Sequence, residues 1–189
     1  MNTLATWLPA IVWAGFIGYW LVAARRARKS VSRATGLAQM VHIALVMGSL
    51  VLMAVPLQRL GVPTHRVTSA ADAFWIGLLV CVAGMGFAGW ARHWLGQYWA
   101  GAIVLKENHK LIQAGPYAIV RHPIYSGVLA AALGTALMVG DLRGFVLFAV
   151  VAVCYLIKIR REERWLRDAF GDEYTQYQRK TAALIPKVY

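Results

Sequence analysis

The side chains that could do chemistry fall in two short stretches of this 189-residue chain. The first, 115–125, brings Gly115, Pro116, Tyr117, Arg121, His122, Pro123, Ile124 and Tyr125 together. The second starts at Lys158, passes Glu162 and Glu163, and continues through Phe170-Gly171-Asp172-Glu173-Tyr174 to Tyr177. His122 is open to three readings: a metal ligand, a general base or a structural donor. Metal sites draw on clustered His, Cys and acidic residues; no such cluster surrounds it in sequence, and no metal is expected. No nucleophilic triad is evident, and no Gly-rich loop follows a strand. The charge run after Lys158 reads most simply as a solvated helix end, with Lys158 pairing Glu162 four residues on. If the last apolar run continues as a helix, Tyr155, Lys158, Ile159, Glu162 and Leu166 share a face and Glu163 lies about 100° round. The sharper reading is a polar pocket, basic on balance, with aromatic rings and one or two carboxylates. Such a pocket suits a cytosolic polar cofactor meeting a lipid-borne substrate.

The elements that position these residues belong to a membrane. The chain is 59% hydrophobic and 15% charged, against about 25% charged in soluble domains. Apolar runs cover 4–24, 36–57, 70–91, 126–140 and 144–159; a bilayer takes about 20 residues per helix. The last two are short and are expected to form a tight antiparallel hairpin around Asp141-Leu142-Arg143. Basic residues follow the first run rather than precede it, so that run reads as a retained helix and not a signal peptide. With the N-terminus outside and five spans, all 20 Lys and Arg except Arg59, Arg66 and Arg143 fall in cytoplasmic segments, as the positive-inside rule asks. The expected fold is therefore all-α integral membrane, five transmembrane helices, N-out/C-in, with a cytoplasmic connector and a C-terminal helix. Residues 1–91 carry three helices, and 92–189 form the catalytic half.

The net charge of +12 then reflects loop placement, and nucleic acid is not an expected partner. Cys81 and Cys154 sit inside apolar runs and read as small hydrophobes. His42, in the second span, is either functional or an imidazole bonding a neighbouring helix. Prolines 116 and 123 remove backbone donors and push the residues before them out of the helical region. Such backbone at a membrane helix mouth must be buried in protein or line a wet cavity.

His109-Lys110-Leu111-Ile112, Gly115-Pro-Tyr117, Arg121-His-Pro-Ile-Tyr125, Glu162-Glu163, Phe170-Gly-Asp-Glu-Tyr174 and Tyr177 occur in a recognisable order. Together they resemble the integral-membrane methyltransferases that include isoprenylcysteine carboxyl methyltransferase and the phospholipid N-methyltransferases. The resemblance covers roughly residues 92–187. It implies that the C-terminal helix closes a cofactor pocket. It also implies S-adenosylmethionine as cofactor, held by His109, Lys110, Leu111, Ile112, Tyr117, His122, Pro123, Ile124, Tyr125 and Glu162, and a lipid or lipid-like acceptor entering between helices. Arg121, Lys158 and Glu163 are the expected catalytic side chains: Lys158 or Arg121 would aim a carboxylate acceptor, and Glu162, Glu163 or His122 would serve as base for an amine. The isoprenylcysteine enzymes carry an arginine where this chain has Lys158, which keeps the charge but lacks the bidentate fork. Two rival readings stand beside this one: an NADPH-dependent membrane reductase of the sterol-reductase type, and a non-enzymatic membrane protein.

Overall fold

A computed structural model describes residues 3–25, 36–55, 65–68, 71–96 and 111–187. Its helices are α1 (Thr3–Ala24), α2 (Leu37–Ala54), α3 (Ala71–Leu95), α4 (Pro116–Ile119), α5 (Pro123–Val139), α6 (Leu142–Phe170) and α7 (Asp172–Lys180). Among the described residues there are no strands, only isolated bridges between Arg66 and Asp141 and between Val120 and Ala182. Four helices, α1 from Ala5, α2, α3 and α6, are long and apolar enough to cross a membrane. The fifth apolar helix, α5, has 17 residues and is about 25 Å long at 1.5 Å per residue, short of the roughly 30 Å hydrocarbon core. Proline at its first position opens it, and Gly140, left-handed at φ +68°, closes it by donating to the Ala136 carbonyl at 2.9 Å.

Two boundaries differ from the hydropathy reading. Helix α3 runs on to Leu95 rather than stopping at Ala91, and carries Arg92 and His93 in its last turn. Arg92 explains the extension: its guanidinium donates to the Gly96 carbonyl at 2.8 Å and to the Ala23 carbonyl at 2.7 Å. One cation thus binds the C-terminal carbonyls of α3 and α1, where helix dipoles favour positive charge. Helix α2 ends at Ala54, with Val55 extended, as expected for a residue preceding proline.

Helices α3 and α5 pack through glycine. A Cβ on Gly77 would stand 2.5 Å from the Gly134 carbonyl oxygen, and one on Gly84 at 2.5 Å from that of Gly127. The pairs are seven residues apart on both helices and run in opposite senses, so the two backbones touch along one antiparallel seam. Trp13 of α1 joins this core by donating its indole N–H to Thr135 Oγ1 at 2.9 Å. Helix α6 turns back from α5 at Asp141, whose carboxylate caps it by accepting from the Gly144 amide at 2.9 Å. It then runs unbroken for 29 residues, from the apolar run into the charged segment. At its end Gly171, φ +53°, donates to the Arg167 carbonyl, and α7 folds back.

Candidate active site

The 115–125 stretch folds as two proline-started turns. Gly115 has φ +61°, and a Cβ there would stand 2.6 Å from the Trp94 ring. Pro116 begins the single turn of α4, Val120 is extended, and Pro123 begins α5. The turn leaves the Arg121 and His122 amides outside any helix, and a buried amide must find a partner. The C-terminal segment supplies it. Arg121 N donates to the Ala182 carbonyl at 2.8 Å, and His122 N to that of Ala183 at 3.0 Å. Ser126 Oγ donates to the Leu184 carbonyl at 2.6 Å. Residues 182–184 thus form a strap along the mouth of α5.

Side chains lock the same strap. Arg121 donates through Nε and Nη2 to Glu163 Oε1 at 2.8 and 2.7 Å. Its Nη1 donates to the carbonyls of Gln178 and Thr181, at the end of α7. His122 Nε2 lies 3.1 Å from Glu163 Oε1; a carboxylate only accepts, so that nitrogen carries a proton. Gln178 Nε2 donates to Glu163 Oε2 at 2.9 Å. Tyr177 adds a donation of its hydroxyl to the Tyr117 carbonyl at 2.5 Å. Burial pushes the Tyr117, Tyr174 and Tyr177 phenols above their ordinary value, so all three stay neutral.

Beneath this cap lies a cavity of about 600 Å³. Its polar end holds Tyr117, His122, Tyr125, Lys158, Glu162 and Tyr174. Tyr125 donates its hydroxyl to Glu162 Oε2 at 2.6 Å, and the Lys158 ammonium stands 5.1 Å from the Tyr125 ring centre. An aromatic row runs through the site. His122 stacks on Tyr125 at 5.5 Å and 6°, Tyr125 lies 4.8 Å from Tyr155, and His42 meets Tyr155 edge-on at 5.5 Å. The cavity continues between α1 and α2, against Phe16, Trp20, Val46, Met47 and Leu50.

Of the residues expected from sequence, Leu111, Ile112, Tyr117, Arg121, His122, Pro123, Ile124, Tyr125, Lys158 and Glu162 all line this one cavity. Glu163 holds Arg121 and His122 from behind. His109 and Lys110 lie outside the described residues. Hydropathy did not single out the α1 and α2 wall. Trp13, Phe16 and Trp20 do recur at helical spacing, but apolar side chains facing lipid and facing a cavity look alike in sequence. Gln178 and Thr181 carry no such signal in sequence, since both meet Arg121 through backbone carbonyls, which every residue type has. Among the described residues no three His, Cys, Asp or Glu are grouped to hold a metal ion.

Residues 73–173 match the family model for phospholipid methyltransferases. The chain belongs to this family. It is 38% identical over 96 residues to the protein-S-isoprenylcysteine O-methyltransferase of Schizosaccharomyces pombe, covering 49% of this chain and 41% of that one. It is 33% identical over 121 residues to the cobalt-zinc-cadmium resistance protein CzcN of Cupriavidus metallidurans, covering 62% and 54%. It is also 45% identical over 71 residues to methanethiol S-methyltransferase 1 of Bradyrhizobium diazoefficiens, covering 37% and 24%. The chain thus spans about half or less of the length of these relatives. In fold it resembles the solved eukaryotic intramembrane Ras methyltransferase ICMT, with a TM-score of 0.58 at 21% identity over 95% of this chain and 68% of that one. With its apolar helices, this family member is a multi-pass integral membrane protein.

Proposed function

We propose that the chain transfers a methyl group from S-adenosylmethionine to a membrane-borne amphipathic acceptor. The observation that carries this is the single cavity that joins a polar, aromatic end under the α7 cap to an apolar wall between α1 and α2. The residues fit such a cofactor: the Glu162 carboxylate suits hydroxyl or ammonium groups, and the Tyr125–Tyr155 faces suit a cation. When bound, S-adenosylmethionine supplies a sulfonium-activated methyl group, which an acceptor lone pair takes in line as the sulfur–methyl bond breaks and its electrons return to sulfur. Such a displacement needs alignment and exclusion of water more than proton transfer.

In this reading Glu162, Tyr117 and the Pro123–Tyr125 turn hold the cofactor, with Leu111 and Ile112 lining the same cavity; His109 and Lys110 stay cofactor contacts on the strength of the family's motif alone. Arg121, His122 and Glu163 act as positioning residues: their bonds to α7 and the strap keep the cap shut and water out. Lys158 remains the cation at the point where acceptor and cofactor meet. We assign five membrane crossings, N-out/C-in, with α5 as the short fifth, so that the capped end faces the cytoplasm. Family membership does not favour the NADPH reductase reading. A second acceptor class, a small thiol, draws support from the similarity to methanethiol S-methyltransferase 1.

The test is a radiolabelled methyl-transfer assay on the purified protein in nanodiscs, against total lipid extract, an S-prenylcysteine acid and methanethiol. Label in a lipid-like product is expected. Label only in methanethiol moves the acceptor to the second class. Failure to bind S-adenosylhomocysteine in calorimetry, with NADPH binding instead, sinks the proposal.

A further inference from the structure

On helix α6 the side turned away from the cavity carries its own pattern. Val146, Val153 and Ile157 are about half exposed, as side chains that face lipid are. At about 100° per residue they fall within one arc of roughly 80°, and Arg160, Arg164 and Arg167 continue that arc past the end of the apolar run. Arg161 stands at its border. The cavity residues Tyr155, Lys158, Glu162 and Leu166 lie on the opposite side of the helix. All four arginines are exposed, and among the described residues none of them is in an ion pair. Arg164 Nε donates to the Arg160 carbonyl at 3.3 Å and Arg167 Nη1 to Gln178 Oε1 at 3.4 Å, both neutral acceptors. Glu163, at the edge of the arc, is taken up by Arg121, His122 and Gln178. Asp168 is exposed and stands one turn beyond Arg164.

We infer that this arc is a lipid-binding face, and that its occupant is an anionic phospholipid of the adjoining leaflet. At about 1.5 Å per residue, Arg160, Arg161 and Arg164 rise roughly 1.5 to 7.5 Å beyond Ile159. The headgroup layer is about 5–8 Å deep, so these guanidiniums stand among headgroups rather than in bulk solvent. A guanidinium forks onto a phosphate in two parallel bonds, while the acyl chain lies along Ile157, Val153 and Val146. A zwitterionic headgroup brings its own cation into the arginine cluster and an anionic one does not, so charge selects the lipid. Basic clusters of this size beside a membrane helix attract anionic lipid. Topology alone asks only for a surplus of cations near the helix end; it does not require them to continue the lipid-facing strip. The inference stands apart from the methyl-transfer reading and holds whatever the acceptor is.

The experiment is native mass spectrometry on the full chain in detergent, titrated with phosphatidylglycerol or with phosphatidylcholine of identical acyl chains. It reads the affinity of the first bound lipid. One basic side chain at an anionic headgroup is worth about fivefold in affinity, so wild type is expected to bind phosphatidylglycerol at least about fivefold more tightly than phosphatidylcholine. The combined variant Arg160→Gln/Arg161→Gln/Arg164→Gln should bring the two lipids to within about twofold of each other. Removing as many exposed charges elsewhere, in Arg179→Gln/Lys180→Gln/Lys187→Gln, should leave the wild-type preference intact. Raising the salt from about 0.05 to 0.5 M should erode that preference, as screening shortens the reach of the charges. An unchanged melting temperature in phosphatidylcholine nanodiscs shows that a variant is folded. If the combined variant melts lower, Arg164→Gln alone carries the comparison and should show a preference below that of wild type. Equal affinity of wild type for the two lipids, a preference that survives loss of the arginines, or one lost equally in the α7 and tail variant overturns the inference. Displacement of phosphatidylglycerol by an equal concentration of inorganic phosphate overturns it too, since the face would then hold an ion and not a lipid.

Discussion

Replacing Glu163 with Gln isolates the clamp that holds the cap shut. Glu163 Oε1 receives Arg121 Nε at 2.8 Å, Arg121 Nη2 at 2.7 Å and His122 Nε2 at 3.1 Å, while Oε2 receives Gln178 Nε2 at 2.9 Å. The arginine and glutamate side chains are only 11% and 13% exposed, so solvent does little to replace the lost charge. Breaking a fully buried pair costs about 3–5 kcal/mol. The glutamine keeps one acceptor oxygen but turns a donor toward a donor, which leaves about 2–3 kcal/mol. If that cost falls on local opening of α7 and the strap, their open population rises roughly 30- to 150-fold. Hydrogen exchange followed by mass spectrometry reads this directly over residues 172–184, which include the Thr175 and Thr181 amides bonded to Gly171 and Tyr177. Exchange in α3 and α5 should stay as in wild type, because their glycine seam does not involve the clamp. Bound S-adenosylhomocysteine should slow exchange in the same segment, since binding and closure are reciprocal. Wild-type exchange over 172–184 in the variant would refute the assignment of Glu163 to cap closure.

Glu162→Gln should weaken S-adenosylhomocysteine binding by about tenfold, the loss of one charge-assisted contact, while calorimetry that shows unchanged affinity removes Glu162 from the cofactor's partners. Gly84→Ala forces a Cβ to within 2.5 Å of the Gly127 carbonyl and should cost about 1–3 kcal/mol by overpacking, seen as a lower melting temperature in nanodiscs. Gly86→Ala, two residues on and with nothing within 4 Å of the added Cβ, should melt as wild type does.

Much of the architecture was legible from local pattern. Hydropathy located every apolar helix, because a membrane helix satisfies its own backbone and only its composition has to suit the lipid. The end of α6 has a local cause too, since Gly171 at φ +53° takes a backbone conformation that glycine adopts at no steric cost. The extension of α3 through Arg92 was not legible. Its cause, a bond to the Ala23 carbonyl, links residues far apart in sequence. Arg121 illustrates the same limit within the site. Type and position marked it as functional, yet its guanidinium meets Glu163, Gln178 and Thr181, partners supplied by two later elements.

The sequence by itself determined that this is a helical membrane protein and grouped its candidate site residues in two segments, since both follow from composition and short-range spacing. The family's motif also lay in that local order, and residues 73–173 carry it. Only the tertiary structure decided that the two segments close on each other through Glu163 and that α1 and α2 complete the cavity. It also decided that His42 stands beside Tyr155 at that cavity's edge. The reason is physical: an apolar side chain has the same preference for lipid as for a lipid-like pocket. Which of the two it meets depends on how the glycine seam and the strap bring distant helices together.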